Sequence, residues 1–323
     1  MNELSPTTLS FDRQRLIMIG GKGGVGKTTS AAAIALRYAS EDHRVLILSS
    51  DPAPSLSDIF ETPLKDTPTP VPDIPGLFGM EISSQEVLKR WKERFGPEIY
   101  EVVSSFAKVD YDFVEYIGTA PGIEEEYMLN YIMELVQSGT YDRVIWDTAP
   151  AGHTLRLLHL PGVFLDHLEA ATKFYMNLYS TFDKLKASVK LQSGKRTLLQ
   201  IISGWRELSQ QVMDFIRNPE TVANLVVTIP EALGVKQTER IVGELEENGL
   251  PINAMIVNYV IAAADCDFHR RRQAMQKKYW ETLKESYGSR FPVIATPLSA
   301  EEIKGIDRIQ EFGKILFEAG SVW

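Results

Sequence analysis

The segment GKGGVGKT, residues 21–28, constrains this chain more than any other, because it fits the pattern G-x-x-x-x-G-K-[ST]. It follows the apolar run RLIMI at 15–19 and precedes the alanine-rich run TTSAAAIALRYA at 28–39. A strand, a glycine-rich turn and a helix in this order point backbone amides and a helix N-terminus at phosphate oxygens. The alternative is a glycine-rich turn that binds nothing, but its position between these two runs favours a phosphate site. The predicted nucleotide-contacting residues of this loop are Gly21, Lys22, Gly23, Gly24, Val25, Gly26, Lys27, Thr28 and Thr29.

The loop holds two lysines where phosphate binding needs one. We expect Lys27 to bind the β and γ phosphates of ATP and the Thr28 hydroxyl to ligate Mg²⁺. A triphosphate carries about four negative charges, of which Mg²⁺ and Lys27 offset about three, so a further cation near the transferred phosphoryl group favours catalysis. Lys22 is the candidate, acting on its own nucleotide or on that of a second subunit. The alternative is that Lys22 is an ordinary solvated lysine.

Two aspartates follow apolar runs, at positions where an open parallel sheet binds its ligand. Asp51 lies in LILSSDPAPSLSD and Asp147 in VIWDTAPAGHT. Such an aspartate alone is more often a turn or helix-cap residue, but both of these accompany a phosphate loop. We expect Asp51 to orient or deprotonate the attacking water, and Asp147 to accept hydrogen bonds from the ligands of Mg²⁺. The amides of the turn after Asp147 are expected to sense the γ phosphate, in a switch made of Asp147, Pro150, Gly152 and His153.

The composition limits the class of partner. The chain has 323 residues, 44% of them hydrophobic, and a net charge of -9, which is typical of a globular protein and disfavours binding to nucleic acid. No run approaches about 18 consecutive apolar residues, and the N-terminus lacks the basic and apolar regions of a signal peptide. A single cysteine, Cys266, excludes an intrachain disulfide. We therefore expect a cytoplasmic protein that is peripheral at a membrane only through a partner.

Short apolar runs alternate with longer segments of helical period, a pattern typical of a parallel sheet covered on both faces. The runs are RLIMI (15–19), RVLILS (44–49), LFGMEI (77–82), DRVIW (142–146), NLVVTI (224–229), NAMIVN (253–258) and PVIAT (292–296). The predicted fold is α/β, with a doubly wound, mostly parallel sheet as a P-loop NTPase core and an inserted α-helical subdomain. The proline-rich segment 65–76 predicts a loop.

Two long intervals, about 85–139 and 161–218, contain no convincing strand and predict the helical subdomain. The second interval has apolar stripes at spacings of three and four: Ala171, Phe174, Leu178, Phe182, Leu185 and Val189, then Leu198, Ile202, Trp205, Leu208, Val212 and Phe215. Such stripes are typical of a plain core or of a binding groove. The core is expected at about 11–84, 140–160 and 219–323, within a single ATPase domain spanning 1–323. A further stripe near the C-terminus predicts a helix packed on the sheet, with Ile306, Ile309, Phe312 and Leu316.

The second lysine makes the loop resemble the deviant Walker A motif of the signature-lysine ATPases. Within that group the chain resembles the arsenical pump-driving ATPase family (ArsA-like), which includes the guided-entry ATPases that deliver tail-anchored membrane proteins. The resemblance runs in order along nearly the whole chain. It rests on DPAPSLSD, TAPGIEEE, DTAPAGHTLRLLHLP, VTIPEALGVKQTER, IVNYV and PLSAEEIKGIDRI.

The resemblance implies a homodimer that binds ATP and Mg²⁺ at the subunit interface, with Lys22 reaching the partner's phosphates. It also implies a helical subdomain that contacts a client. In the family's terms Asp51 is the catalytic aspartate of switch I and Asp147 the aspartate of switch II. The positions that correspond to binding of the adenine end are Asn258, Pro297 and Leu298.

The chain departs from the family pattern at three points. Pro54 stands where switch I usually has histidine, so any role of that histidine is absent. Arsenite-stimulated members are fused halves with several cysteines, and one cysteine per chain makes direct activation by arsenite doubtful. Guided-entry members share one Zn²⁺ between two Cys-x-x-Cys pairs, whereas this chain has Cys266-x-x-His269. Two such pairs offer a Cys2His2 set for an intersubunit Zn²⁺, and the alternative is a free cysteine beside a solvated histidine.

Three functions remain open at this point. The first is a homodimeric Mg-ATPase whose helical subdomain grips a hydrophobic client helix, supported by methionines that suit adaptable apolar surfaces: Met128, Met133, Met176 and Met213. The same methionines are equally expected in a core. The second is the ATPase subunit that drives efflux of arsenite or another oxyanion through a membrane channel or receptor. The third is a nucleotide switch of the partitioning or division type.

Overall fold

The computed structural model describes residues 9–51, 55–104, 110–118, 123–148, 192–317 and 322–323. The strands are β1 (Leu16–Gly21), β2 (Val45–Ser49), β3 (Thr69–Pro70), β4 (Leu77–Glu81), β5 (Arg143–Asp147), β6 (Val222–Thr228), β7 (Ala254–Val260) and β8 (Val293–Pro297). The helices are α1 (Lys27–Ala39), α2 (Ser55–Ile59), α3 (Ser84–Ser104), α4 (Asp112–Gly118), α5 (Ile123–Gln137), α6 (Gln192–Arg217), α7 (Ala232–Glu247), α8 (Asp267–Tyr287) and α9 (Ile306–Phe317). The predicted residues Pro54, Pro150, Gly152, His153 and Met176, and the apolar stripe from Ala171 to Val189, lie outside the described residues.

All eight strands form one sheet in the order β3-β4-β2-β5-β1-β6-β7-β8. Every strand pair except β3 with β4 is parallel, so the predicted mostly parallel α/β fold is confirmed. The chain leaves β1 toward β2 on one side of the sheet and leaves β6 toward β7 on the other. The strand order therefore reverses between β1 and β6, which is where open α/β sheets bind ligands at their carboxyl ends.

The proline-rich segment is not wholly a loop, which makes that prediction wrong at two residues. Thr69 and Pro70 form β3 and pair antiparallel with Gly79 and Phe78 at the edge of the sheet. An edge strand tolerates proline because its missing N–H can face away from the ladder. The sequence signal for a loop and the signal for a short edge strand are the same here, so composition alone does not separate them.

Both faces of the sheet are covered, as the near-continuous apolar strands predict. Ile17 and Ile19 of β1 belong to a core cluster that includes residues of α1 and α9. The alternate residues Leu16 and Met18, which face the other side, are also buried, at 0% and 2% exposed. The C-terminal stripe packs as predicted, with its residues Ile309, Phe312 and Leu316 buried in α9.

Residue contacts divide the chain into two compact units. The first comprises Met1–Ser83, Leu135–Leu155 and Ile216–Trp323, and the second comprises Ser84–Glu134 and Arg156–Phe215. The sheet lies in the first unit, whereas α3, α4 and most of α5 and α6 lie in the second. The assignment of the helical intervals as an inserted subdomain of a single ATPase domain stays a prediction.

The methionines offered as groove residues behave in part as core. Met128 and Met133 on α5 are 3% and 2% exposed, so they are buried and do not line an exposed groove in this conformation. Met213 on α6 is partly exposed. Among the described residues, no helix combines the length and apolar character that crossing a membrane requires.

Candidate nucleotide site

The phosphate loop joins β1 to α1 and depends on glycine at two close approaches. A β-carbon built on Gly21 would lie 2.3 Å from the backbone carbonyl oxygen of Val227 on β6. Gly26 caps the N-terminus of α1 in the left-handed region, with φ 96°, and a β-carbon there would lie 2.2 Å from Asn258 Nδ2. The loop therefore packs directly against the backbone of β6 and against the Asn258 side chain of β7, and α1 directs its N-terminus into the cleft at the strand ends.

Lys27 is the first residue of α1 and is 6% exposed. Its ammonium donates a hydrogen bond to the carbonyl oxygen of Lys22, with 3.2 Å between Nζ and O. Burial lowers the pKa of Lys27, and the carboxylates of Asp147 and Asp51 oppose that effect. These two predicted aspartates therefore lie near enough to Lys27 to form one electrostatic cluster with it.

Asp147 ends β5 and is 1% exposed. Thr28 donates a hydrogen bond to Asp147, with 2.7 Å between Oγ1 and Oδ2, and Ser49 lies 3.5 Å from the same oxygen. The other carboxylate oxygen, Oδ1, is buried and has no hydrogen-bond partner among the described residues. Burial raises the pKa of Asp147 to about 6, even though Thr28, Lys27 and Ser49 all favour the ionised form.

The unpaired oxygen of Asp147 fits the Mg²⁺ that an ATP site of this kind implies. Mg²⁺ prefers oxygen ligands and usually keeps several waters, which need acceptors of their own. The Thr28 hydroxyl gives its proton to Asp147, so a lone pair of Thr28 Oγ1 is left for the cation. Asp147 Oδ1 offers a buried acceptor next to it. The two residues predicted for Mg²⁺ therefore lie together, and their roles toward the cation stay predictions.

Asp51 follows β2, and its backbone amide donates a hydrogen bond to Ser49 Oγ over 3.2 Å. Beyond residues 52–54 the chain forms α2, which begins at Ser55, 3.4 Å from Thr28 between hydroxyl oxygens. The carboxylate of Glu81, at the end of β4, accepts from the amides of Leu56 and Ser57 over 2.8 and 3.0 Å, and so anchors this helix. Sequence reasoning missed Ser49, Ser55 and Glu81, since no local motif marks a side chain that acts on a neighbouring strand.

Asn258 on β7 holds the phosphate loop from the other side. Its Nδ2 donates to the carbonyl oxygen of Val25 over 3.0 Å, and its Oδ1 accepts from Thr296 Oγ1 over 2.8 Å. Asn258 is 2% exposed and retains a second N–H for a ligand. It therefore joins the loop, β7 and β8, a structural contribution that the resemblance alone did not indicate.

A cleft of about 590 Å³ opens beside Asn258 and extends away from the loop. Its lining includes the predicted residues Thr28, Thr29, Asn258, Pro297 and Leu298. Leu298 is 50% exposed and presents an apolar wall at the outer end. The carboxyl ends of the strands thus carry the loop, the two aspartates and the predicted base-binding residues. The roles of these residues stay predictions.

Cys266 and His269 lie at the N-terminus of α8 and are not among the residues that line the cleft. With Asp265 they form a group whose ligand atoms all lie within 4.8 Å of one another. His269 Nδ1 is 2.5 Å from Asp265 Oδ1, and this hydrogen bond is the main reason that the pKa of Asp265 is lowered. The predicted zinc pair is therefore close enough to share one metal ion, with a carboxylate that sequence reasoning did not include.

Replacement of Asp147 by asparagine is expected to stabilise the nucleotide-free protein. A carboxyl whose pKa in the folded protein is about 6, against an ordinary 3.8, disfavours folding once it is ionised, by up to about 3 kcal/mol. The folded protein favours the protonated carboxyl of Asp147. The stability that this form contributes is complete only below pH 3.8 and is lost as the pH rises through 6. Asp147→Asn should therefore raise the free energy of unfolding more at pH 8 than at pH 5, by about 1 kcal/mol, measured by urea denaturation.

Asp307→Asn is the matched control, because Asp307 is an exposed carboxylate on α9 and its replacement shows how the loss of a surface charge affects unfolding. Equal stabilisation by Asp147→Asn at the two pH values would show that the pKa of Asp147 is not raised.

Comparison with known proteins agrees with this geometry. A family model described as anion-transporting ATPase (ArsA) matches residues 14–318. The chain is 31% identical to an "ATPase ASNA1 homolog" of Dictyostelium discoideum, over 98% of this chain and 94% of that protein. It is 32% identical to an "ATPase get3" of Sclerotinia sclerotiorum, over 98% of this chain and 94% of that protein. With its phosphate loop and buried carboxylate, the chain is an ATP-hydrolysing P-loop enzyme that belongs to the ArsA family of anion-transporting ATPases.

Proposed function

We propose that the chain works as a homodimer that binds Mg-ATP beside its phosphate loop and couples hydrolysis to a change in its helical unit. The client is an apolar helix, such as the membrane segment of a tail-anchored protein. The observation that carries the catalytic part is the hydrogen bond from Thr28 to Asp147, whose other oxygen is buried and unpaired beside Lys27. A buried carboxylate with an unused acceptor is costly unless a ligand uses it.

Each cluster residue has a distinct part in this reaction. Lys27 and the loop amides hold the β and γ phosphates, while Thr28 and Asp147 position the metal. Bound Mg²⁺ neutralises charge that develops on the phosphate oxygens. Asp51, whose carboxylate acts electrostatically on both Lys27 and Asp147, orients the attacking water or accepts its proton.

Lys22 supplies the remaining cation from the other subunit. Its carbonyl oxygen is occupied by Lys27, but Lys22 is only partly buried and its side chain has no ion-pair partner among the described residues. It lies at the loop surface between Gly21 and the exposed Gly23, so a facing subunit can approach it. The ammonium of Lys27 already serves the nucleotide of its own subunit. This arrangement therefore supports action of Lys22 on the nucleotide of the other subunit.

Mixed dimers test this assignment. Lys22→Ala and Asp51→Asn should each reduce turnover of the homodimer by about 10³-fold or more while nucleotide binding persists. If Lys22 acts across the interface and Asp51 within its own subunit, a mixed dimer of the two variants has one complete site. Random 1:1 mixing should then restore about a quarter of the wild-type rate, measured as phosphate release.

Action of Lys22 within its own subunit predicts no recovery, because neither site of the mixed dimer is then complete. A mixture of Lys22→Ala with Lys27→Ala is a second case in which trans action predicts recovery. Unchanged turnover of Asp51→Asn alone would remove Asp51 from the catalytic role.

The helical unit supports the client part of the proposal. A cavity of about 480 Å³ lies between α3 and α6, where Phe95, Trp205 and Leu208 form its apolar lining. Charged and amide side chains surround them, including Arg94 and Glu98, as at the rim of a protein interface. Relatives named "ATPase get3" and "ATPase ASNA1 homolog" span nearly the whole chain, which favours the guided-entry branch of the family.

Transport of an anion is the second candidate function, favoured by the description of the family model. In that case the chain drives a membrane channel, and its one cysteine leaves metalloid binding without the two or three thiolates it prefers. Docking on a membrane receptor is compatible with both candidates. A switch of the partitioning or division type is the third and has no observation in its favour beyond the loop itself.

The ATPase rate separates the first two candidates. We expect a detergent-masked hydrophobic helix to change the rate of the purified protein, and arsenite or antimonite to leave it unaltered, because one cysteine per chain binds these metalloids poorly. Trp205→Glu places a charge in the cavity between α3 and α6, and should abolish the response to the helix but not the basal rate. Stimulation by metalloid alone would favour the transport function.

We further propose that Cys266 and His269 of two subunits hold one Zn²⁺ between them. Cys2His2 sets bind structural zinc, and here Asp265 hydrogen-bonds to the histidine, as carboxylates beside zinc-binding histidines commonly do. Asp267 lies next to the pair in sequence but outside the group of ligand atoms.

Metal analysis of the purified protein tests the zinc site. About one zinc per two chains is expected for the wild type, and none for Cys266→Ser or His269→Ala. The matched control Asp267→Asn should retain the metal. Zinc that persists in Cys266→Ser would rule out this pair as its ligands.

A further inference from the structure

Asn258 and Tyr259 are neighbours on β7, yet both line the same cleft. Successive side chains of a regular strand point to opposite faces of the sheet, so two consecutive residues should not share one cavity. A β-carbon built on Gly26 would lie 2.2 Å from Asn258 Nδ2 and 3.8 Å from the Tyr259 hydroxyl oxygen. The alternation is therefore broken at Tyr259.

The cause is a local distortion of the strand. Tyr259 has φ 61°, in the left-handed region that bulky residues rarely adopt. The pairing of β7 with β8 shifts register between Val257 and Val260, on either side of this residue. One extra residue on β7 relative to β8 re-aims the side chain here, as bulges do beside active sites.

A buried glutamine of α8 holds the distorted backbone in place. Gln276 is 3% exposed, and its Nε2 donates to the carbonyl oxygen of Tyr259 over 2.9 Å. Its Oε1 accepts from the amide of Ile261, also over 2.9 Å. Strained backbone persists only where its surroundings fix it, most often at functional sites. The buried Gln276 side chain thus fixes the backbone conformation that orients Tyr259.

The Tyr259 hydroxyl can donate a hydrogen bond, but none of the described residues accepts it. Burial raises the pKa of Tyr259 above its ordinary value of 10.0, so the hydroxyl keeps its proton at neutral pH. Tyrosine hydroxyls in partly buried positions usually find a hydrogen-bond partner, yet this one makes no hydrogen bond with the described residues. It lies beside Gly26 at the N-terminus of α1, 3.8 Å from the place that a β-carbon on that glycine would take.

We propose that Tyr259 is a nucleotide-binding residue whose hydroxyl donates a hydrogen bond to an oxygen of the ribose or the α-phosphate. The inference rests on the proposed nucleotide site and deepens it. The phosphates lie along the loop that ends at Gly26 and the base lies toward Pro297, so the segment between them passes the phenol. Asn258 and Tyr259 then act from the same strand, one on the loop and one on the nucleotide.

Calorimetric titration with ADP tests the proposal without turnover. Tyr259→Phe should weaken ADP binding about three- to tenfold, the usual effect of one lost hydrogen bond. Tyr259→Gly removes the whole side chain but tolerates the left-handed backbone, and should weaken binding more. Tyr259→Ala should match Tyr259→Gly in affinity but have a lower unfolding temperature, because alanine keeps the backbone strain.

Two controls separate this inference from its foundation. Asp73→Gly relieves the same φ of 61° outside the cleft and should leave ADP binding unchanged. Lys27→Ala should abolish binding; if it does not, the proposed nucleotide site fails and this inference with it. If Lys27→Ala abolishes binding but Tyr259→Phe binds ADP as the wild type does, only the role of Tyr259 is overturned.

The acceptor is identified by a second ligand. A loss caused by Tyr259→Phe that disappears with 2′,3′-dideoxy-ADP places the acceptor on the 2′ or 3′ hydroxyl of the ribose, and a loss that persists places it on the ribose ring oxygen or the α-phosphate. Both results support the proposal.

Discussion

The burial of one carboxylate, Asp147, beside one ammonium, Lys27, is the constraint on which the rest of this site depends. Neither charge is stable in a protein interior without the other and without hydrogen bonds. The main-chain carbonyl of Lys22 and the Thr28 hydroxyl provide those bonds. Because burial outweighs these interactions, the pKa of Asp147 stays raised, and its unpaired oxygen leaves an acceptor for a bound cation. The hydrogen bonds of the cluster thus stabilise its two charges in the folded protein, and the unpaired oxygen of Asp147 is left for a ligand.

The register of the parallel sheet places these groups together. Asp147 pairs with Ile19 on β1 and with Ser49 on β2, so β2 and β5 end at the same level and β1 continues for two more residues. The buried carboxylate of Asp147 lies at this level, and the first loop residue Gly21 and Asp51 each follow two residues later. A slip of one strand by a single residue would turn Asp147 to the other face of the sheet. The apolar residues that precede each strand end therefore set the geometry of the chemistry as well as the stability of the core.

Much of this arrangement follows from local sequence. The phosphate loop, the strands and the aspartates at their ends are short-range patterns, and the fold that they imply is confirmed. The structure differs where a feature depends on distant residues. β3 needs an open sheet edge, and Glu81 acts on α2 from another strand. The left-handed conformation of Tyr259 depends on Gln276 in α8, and no tyrosine signals such a backbone by itself. Met128 and Met133 show the same limit, since a methionine in an amphipathic helix suits a groove and a core equally well.

The bond from Asn258 to Val25 spans 233 residues of chain, and the bond from Thr28 to Asp147 spans 119. A protein is made from its N-terminus, so the phosphate loop leaves the ribosome long before the strands that complete it. The earliest motif in the sequence is consequently among the last parts of the site to reach its final form. A chain that stops before β7 carries the whole loop sequence but lacks the amide that fixes it, and capture of a nucleotide in the finished geometry becomes a sign that synthesis has passed residue 258.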